Sequence, residues 1–95
     1  MTTDKLESKI NLAAKAETLL NDPVMIAARE HIDTELYRLF KSTSPTDTEA
    51  LSQVSGMQYM HGKYAAFLKQ CVVDGKLAKM DLEHRKKTLK ERLFG

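Results

Sequence analysis

The sequence predicts an all-α protein, built on an antiparallel helical hairpin with flanking N- and C-terminal helices. The composition is dominated by Ala, Leu, Met, Lys and Glu, which are strong helix formers. Hydrophobic residues make up 42% of the 95-residue chain and charged residues 29%, a balance typical of one ordinary globular domain. Between Val54 and Cys71 the apolar positions recur at steps of three and four, as along one face of a helix.

The first two helices are predicted on either side of Asn21-Asp22-Pro23. The segment from Asp4 to Asn21 carries a weak apolar face that is rich in Ala. Pro23 forces the preceding residue out of the helical region and suits the first helical position, so Asp22 is the expected N-cap. From Pro23 to Lys41 apolar residues again recur at three and four, which predicts a second helix.

The third and longest helix is predicted over residues 45–74. Ser44 offers an N-cap and Pro45 a first helical residue, while Asp74-Gly75 resembles a C-terminal stop. The hinge at 41–44 is short, so this helix should return antiparallel to the second one. The part of this helix that extends beyond the second helix must be covered by the N-terminal helix, the C-terminal helix or another subunit.

Two glycines, Gly56 and Gly62, interrupt this long helix at a cost of about 1 kcal/mol each relative to Ala. We interpret both as sites of close approach by another backbone, with a kink between Ser55 and Gly62 as the alternative.

The C-terminal part of the chain is basic. Residues 76–95 contain seven Lys or Arg and three acidic residues, for +4, whereas residues 1–75 contain eight basic and ten acidic residues, for −2. A helix over Lys79–Leu93 is expected there, as a semi-independent part of the single domain 1–95. A solvated mixed-charge helix is one interpretation. Contact with nucleic acid is the other, through Arg85, Lys86, Lys87, Lys90 and Arg92.

The a/d seam of the long helix predicts an interaction face for a second copy or a helical protein partner. A polar residue in such a seam, here His61, can fix register and make assembly sensitive to pH, and a histidine at the edge of a modest core is the simpler alternative. Cys71 should be buried as a small hydrophobe. The predicted face consists of Val54, Met57, His61, Tyr64, Leu68 and Cys71.

No pattern for catalysis, a cofactor or a metal stands out. His31 with Glu35 and Asp81 with His84 have helical spacings that suit two metal ligands, but a closed site usually needs four. Cys71 and His61 lie about 15 Å apart along one helix, too far for a nucleophile and its base. We therefore expect a protein without enzymatic activity, cofactor or metal.

Apolar runs are too short for a membrane span, and charges interrupt the N-terminus where a signal peptide would need an apolar core. We expect a cytoplasmic protein that does not enter a membrane. The lone cysteine excludes an internal disulfide.

Several of these marks occur together in a known group. Asn21-Asp22-Pro23, then Glu35 and Phe40, the run from Ser42 to Ala50, and Asp74-Gly75-Lys76-Leu77-Ala78 follow one another in the sequence. In this the chain resembles small helical proteins of tailed bacteriophages and prophages that accompany virion-assembly genes. The resemblance implies a non-enzymatic accessory protein that works as a repeated subunit in the host cytoplasm or the virion. A nucleic-acid-binding regulator and a phage inhibitor of a host protein are the alternative functions.

Overall fold

The computed structural model describes the whole chain, Met1–Gly95, and it is all-α. Three helices follow one another: α1 over Thr3–Asn21, α2 over Pro23–Ser42 and α3 over Thr48–Phe94. At about 1.5 Å per residue, α3 is about 70 Å long. The chain divides into two compact units. Met1–Leu19 and Leu68–Gly95 form the first, called the α1 unit, and Leu20–Phe67 form the second, called the α2 unit.

The boundary between α1 and α2 is confirmed. The Asp22 backbone is extended and its carboxylate accepts a hydrogen bond from the Met25 amide at 3.0 Å, with Pro23 at the first helical position. The Arg29 guanidinium donates to the carbonyl oxygen of Leu20 at 2.9 Å, which places a cation at the end of α1, where the helix dipole favours positive charge.

The start of α3 differs from the prediction. Ser44 and Pro45 belong to a turn, closed by a hydrogen bond from the Asp47 amide to the Ser44 carbonyl at 3.0 Å. The N-cap is Asp47, whose carboxylate accepts from the Ala50 amide at 3.1 Å. Proline suits the second position of such a turn as well as the first turn of a helix, and here the turn uses it.

The end of α3 also corrects the prediction. The helix does not stop at Asp74-Gly75, and the expected helix over Lys79–Leu93 is the continuation of α3. No glycine of the chain has a positive φ, so Gly75 does not terminate the helix in a left-handed conformation. A Cβ built on Gly75 would lie 2.1 Å from the Ala13 Cβ and 3.2 Å from the Lys9 carbonyl oxygen. Gly75 therefore lets α1 pack closely on α3.

Close approach was predicted at the wrong glycines. No atom lies within 4 Å of a Cβ built on Gly56 or Gly62, apart from their immediate helical surroundings. Neither residue ends the helix, because α3 is continuous through both.

The α1 unit consists of α1 and the C-terminal part of α3. Ala13 and Lys9 lie against Gly75, and Leu6 shares a small hollow with Ala78, so the two segments run antiparallel. Small residues dominate this contact. The buried apolar residues here are Leu6, Ala16, Leu68, Cys71 and Ala78.

The α2 unit is the helical hairpin that the sequence predicts, with α2 paired to the N-terminal part of α3. Its arms are joined by the turn at 43–47. Only Leu36 and Val54 are buried apolar residues in this unit, at 8% and 5% exposure. A two-helix hairpin with so small a core leaves most of its apolar side chains against solvent.

Candidate interaction site

An apolar groove runs between α2 and α3 in the α2 unit. It contains two adjoining hollows, which share Ile32 and His61. The larger has a volume of about 750 Å³ and is lined by Ile32, Leu36, Gln53, Gly56, Met57, Met60 and His61. The smaller, about 320 Å³, is lined by Met25, Ala28, Arg29, Ile32, His61 and Tyr64. We call both together the α2–α3 groove.

The α2 wall of the groove follows from helical spacing. Met25, Ala28, Ile32 and Leu36 recur at three or four residues, so they form one stripe along α2. Leu36 points deepest and is buried, while Ile32 is 42% exposed. This stripe is the apolar face that the sequence indicates for the second helix, and α3 covers only part of it.

The α3 wall is made by a stripe that includes two residues of the predicted seam, Met57 and Tyr64. Met57, Met60, Tyr64 and Phe67 follow one another at steps of three, four and three, and all four are exposed. The first three line the groove. Methionine adapts to irregular contacts, which suits this surface to another helix. Met60 is not one of the six residues of the predicted interaction face, although its spacing from Met57 and Tyr64 places it on the same side of α3.

His61 lies at the centre of the groove and is tied to α2. Its Nε2 atom lies 2.9 Å from Oδ1 of Asp33. The His61 side chain is only 16% exposed, whereas that of Asp33 is 68% exposed. The His61 side chain therefore joins the two arms of the hairpin, while Asp33 keeps its carboxylate largely hydrated. A role of His61 as a pH switch in an interface stays a prediction.

The six residues of the predicted interaction face are divided by the fold. Val54, Leu68 and Cys71 are buried by the chain itself, which confirms the burial expected for Cys71. Met57 and Tyr64 remain about half exposed, and His61 lies between these extremes. Leu68 and Cys71 belong to the α1 unit and the other four to the α2 unit. Only the residues of the α2 unit that line the groove are open to a partner.

The side chains considered as metal ligands either interact with other residues or are not grouped with further possible ligands. Glu35 accepts a hydrogen bond from Arg38, and this bond, with the charge of the guanidinium, lowers the pKa of the Glu35 carboxyl and raises that of Arg38. Asp81 forms an ion pair with Arg85 at 3.2 Å. No three His, Cys, Asp or Glu side chains come together as a metal site would require.

The basic residues predicted to contact nucleic acid are also divided. Arg85 and Arg92 line a hollow with His84, Thr88 and Leu89, and Arg85 is held by Asp81. Lys86, Lys87 and Lys90 are exposed and make no ion pair.

The α2–α3 groove is an open, mainly apolar surface, and it brings no nucleophile together with a base. None of the three helices is both long enough and apolar enough to span a membrane. No protein-family model matches the sequence, and comparisons with curated proteins and with solved structures gave no significant match.

Proposed function

We propose that the protein is a non-enzymatic helical module that self-associates, with the α2–α3 groove of one copy covered by the same groove of a second copy. The observation that carries the proposal is the open groove in a unit that buries only two apolar side chains, Leu36 and Val54. Two hairpins joined in this way make a four-helix bundle, a standard solution for helices that cannot bury their apolar stripes alone.

The exposed area supports an occupant of this size. The chain exposes 7528 Å². Within the groove Ile32, Met57, Met60 and Tyr64 are 42%, 46%, 65% and 48% exposed, so an apolar partner surface has side chains to cover there. A standard interface takes about 800 Å² from each partner.

A second copy also fits the chemistry of the groove. In a two-fold dimer the same surface meets itself, so it should carry little net charge at its centre. The shared residues of the two hollows are Ile32 and His61, and the walls are mostly Met, Ile, Leu and Tyr. The His61 ring lies 2.9 Å from the Asp33 carboxylate, and Arg29, the one Lys, Arg, Asp or Glu that lines the groove, donates a hydrogen bond to the Leu20 carbonyl oxygen.

The biological setting we propose is the one that the resemblance implies: an accessory subunit in the assembly or packaging of a bacteriophage. Self-association suits a protein that works as a repeated subunit.

The test compares two methionines of α3. Met60 and Met80 are both 65% exposed, but only Met60 lines the groove. Met60→Glu removes an apolar side chain whose burial in the proposed interface is worth about 1.5–3 kcal/mol, and it adds a charge there. The dimer dissociation constant should therefore rise at least tenfold. Met80→Glu, the matched control, should leave it unchanged.

The measurement is the mass by light scattering on a sizing column over a range of protein concentrations, with circular dichroism as the check on folding. We expect twice the chain mass of 10.8 kDa for the wild type and Met80→Glu, and the chain mass for Met60→Glu. A wild type that stays monomeric, or two variants that dissociate alike, would contradict the proposal. A monomer would leave the groove to a different helical partner.

A further inference from the structure

The C-terminal part of α3 has a row of lysines that the apolar packing does not use. All of them are exposed and belong to the α1 unit. At about 1.5 Å per residue, the row from Lys69 to Lys90 extends about 32 Å along the helix. Its members are Lys69, Lys76, Lys79, Lys86, Lys87 and Lys90.

These lysines lie on one flank of α3. Gly75 marks the direction of α1, because it faces Ala13. At about 100° per residue, the six lysines fall about 20° to 120° to one side of that direction. Asp74, Asp81 and Arg85 fall about 80° to 120° to the other side. We call the lysine side the lysine flank, and Glu83 is the only acidic residue within its arc.

No lysine of the lysine flank forms an ion pair within the chain. The ion pairs of the protein are Arg38 with Glu35 and Arg85 with Asp81, and neither includes a lysine of the flank. Six lysines against Glu83 give the flank a charge of +5. A polyanion can displace counterions here without breaking an internal ion pair.

We propose that the lysine flank binds the phosphate backbone of duplex nucleic acid without sequence preference. Double-stranded DNA carries about one charge per 1.7 Å, so a straight row of cations meets many phosphates at once. No Phe, Tyr or Trp lies between residues 68 and 93, so the flank has no platform on which the bases of a single strand stack. Lysine acts as a point charge towards phosphate, which gives affinity but no base readout.

The surface differs from the one first predicted at the C-terminal end of the chain. It includes Lys69, Lys76 and Lys79, which lie earlier in α3, and it leaves out Arg85 and Arg92, which lie on the opposite flank. It lies within the α1 unit and does not rest on the proposed self-association.

The experiment measures binding of a fluorescent 30-base-pair DNA duplex by anisotropy at several salt concentrations. The probe variant carries Lys76→Gln, Lys79→Gln and Lys86→Gln. The control carries Lys5→Gln, Lys15→Gln and Lys63→Gln, which are exposed lysines outside the flank. Both variants lose three charges, so their net charge is the same.

We expect the wild type to bind with micromolar affinity at low salt, and log K to fall with log salt with a slope approaching about −5 if all six lysines contact phosphates. The probe variant should lower the magnitude of this slope by about 2.7 and weaken binding at least tenfold at 50 mM salt. The control should change the affinity less than threefold. Duplexes of unrelated sequence should bind alike.

Three results would overturn the inference. One is no binding by the wild type at 25 mM salt, and another is an equal loss in both variants, which net charge alone would explain. The third is binding only to vesicles that contain phosphatidylserine, since a flank that binds anionic lipid and not DNA would have a membrane surface as its partner. Circular dichroism checks that all variants keep their helices.

Discussion

Replacing Gly75 by Ala tests whether close packing, and not helix termination, explains this glycine. The added Cβ would lie 2.1 Å from the Ala13 Cβ, whereas carbon atoms pack at about 3.5–4.0 Å. A Cβ has no torsion by which it can move aside, so α1 and α3 must separate locally. Overpacking of this kind costs about 1–3 kcal/mol, and better helix propensity returns about 1 kcal/mol. We expect Gly75→Ala to lower the free energy of unfolding by up to about 2 kcal/mol.

Gly62→Ala is the matched control on the same helix. Nothing lies within 4 Å of the added methyl group there, so only the propensity gain of about 1 kcal/mol remains and the variant should be more stable than the wild type. Urea unfolding followed by circular dichroism measures both changes. All samples need the same protein concentration, because self-association adds to apparent stability.

A second substitution tests the contact itself. Ala13→Gly removes the methyl group that Gly75→Ala meets, at a helix-propensity cost of about 1 kcal/mol. The double variant should be less destabilised than the sum of the two single variants, with a coupling of about 1–2 kcal/mol. If Gly75→Ala stabilises as much as Gly62→Ala, or the double-mutant cycle shows no coupling, the packing explanation is refuted.

Three further outcomes follow from the structure. Asp47→Ala should lower the free energy of unfolding in urea by about 1 kcal/mol because it removes the N-cap of α3. Ser44→Ala should change it by less than about 0.5 kcal/mol. Equal effects of the two substitutions would contradict the assignment of Asp47 as the N-cap. Leu68→Glu places an unpaired charge among buried residues of the α1 unit, so its helical circular dichroism should melt at lower temperature than that of Met60→Glu, whose side chain is exposed. The Glu35 carboxyl should titrate below its usual pKa in an NMR pH series, and Arg38→Gln should return the pKa towards that value. A pKa that is lowered in the folded state adds stability, and this stability is lost as the pH falls through that pKa. Any contribution of this exposed pair to stability should therefore disappear in acid and not in base.

Local signals in the sequence predict the first two helices and the boundary between α1 and α2, because their causes lie within a few residues. Asp22 and Pro23 act on the next turn of the chain, and the apolar spacing of α2 acts within one helix. The start of α3 is less certain from sequence alone. Ser44-Pro45 and Asp47 both carry N-cap signals. The predicted and observed N-caps of α3 differ by three residues, because Ser44 and Pro45 form a turn that precedes the helix.

The glycines of α3 show why the rest could not be predicted. Gly75 has the same local signature as a helix stop, but its role depends on Ala13, which lies far away in the sequence. Gly56 and Gly62 are also glycines within α3, but no residue of another helix lies within 4 Å of a Cβ built on either of them. No window of sequence around a glycine distinguishes these cases, since the atoms that decide between them belong to another helix.

The same chain therefore packs α3 in two different ways. In the α1 unit Gly75 lets α1 approach α3 closely at Ala13, and Leu6, Ala16, Leu68, Cys71 and Ala78 are buried. In the α2 unit only Leu36 and Val54 are buried, and Ile32, Met57, Met60 and Tyr64 line a groove that is open to solvent. Large side chains on a two-helix hairpin can be buried only by a further helix. That difference in burial is why we expect a partner at the α2 unit and not along the whole predicted seam.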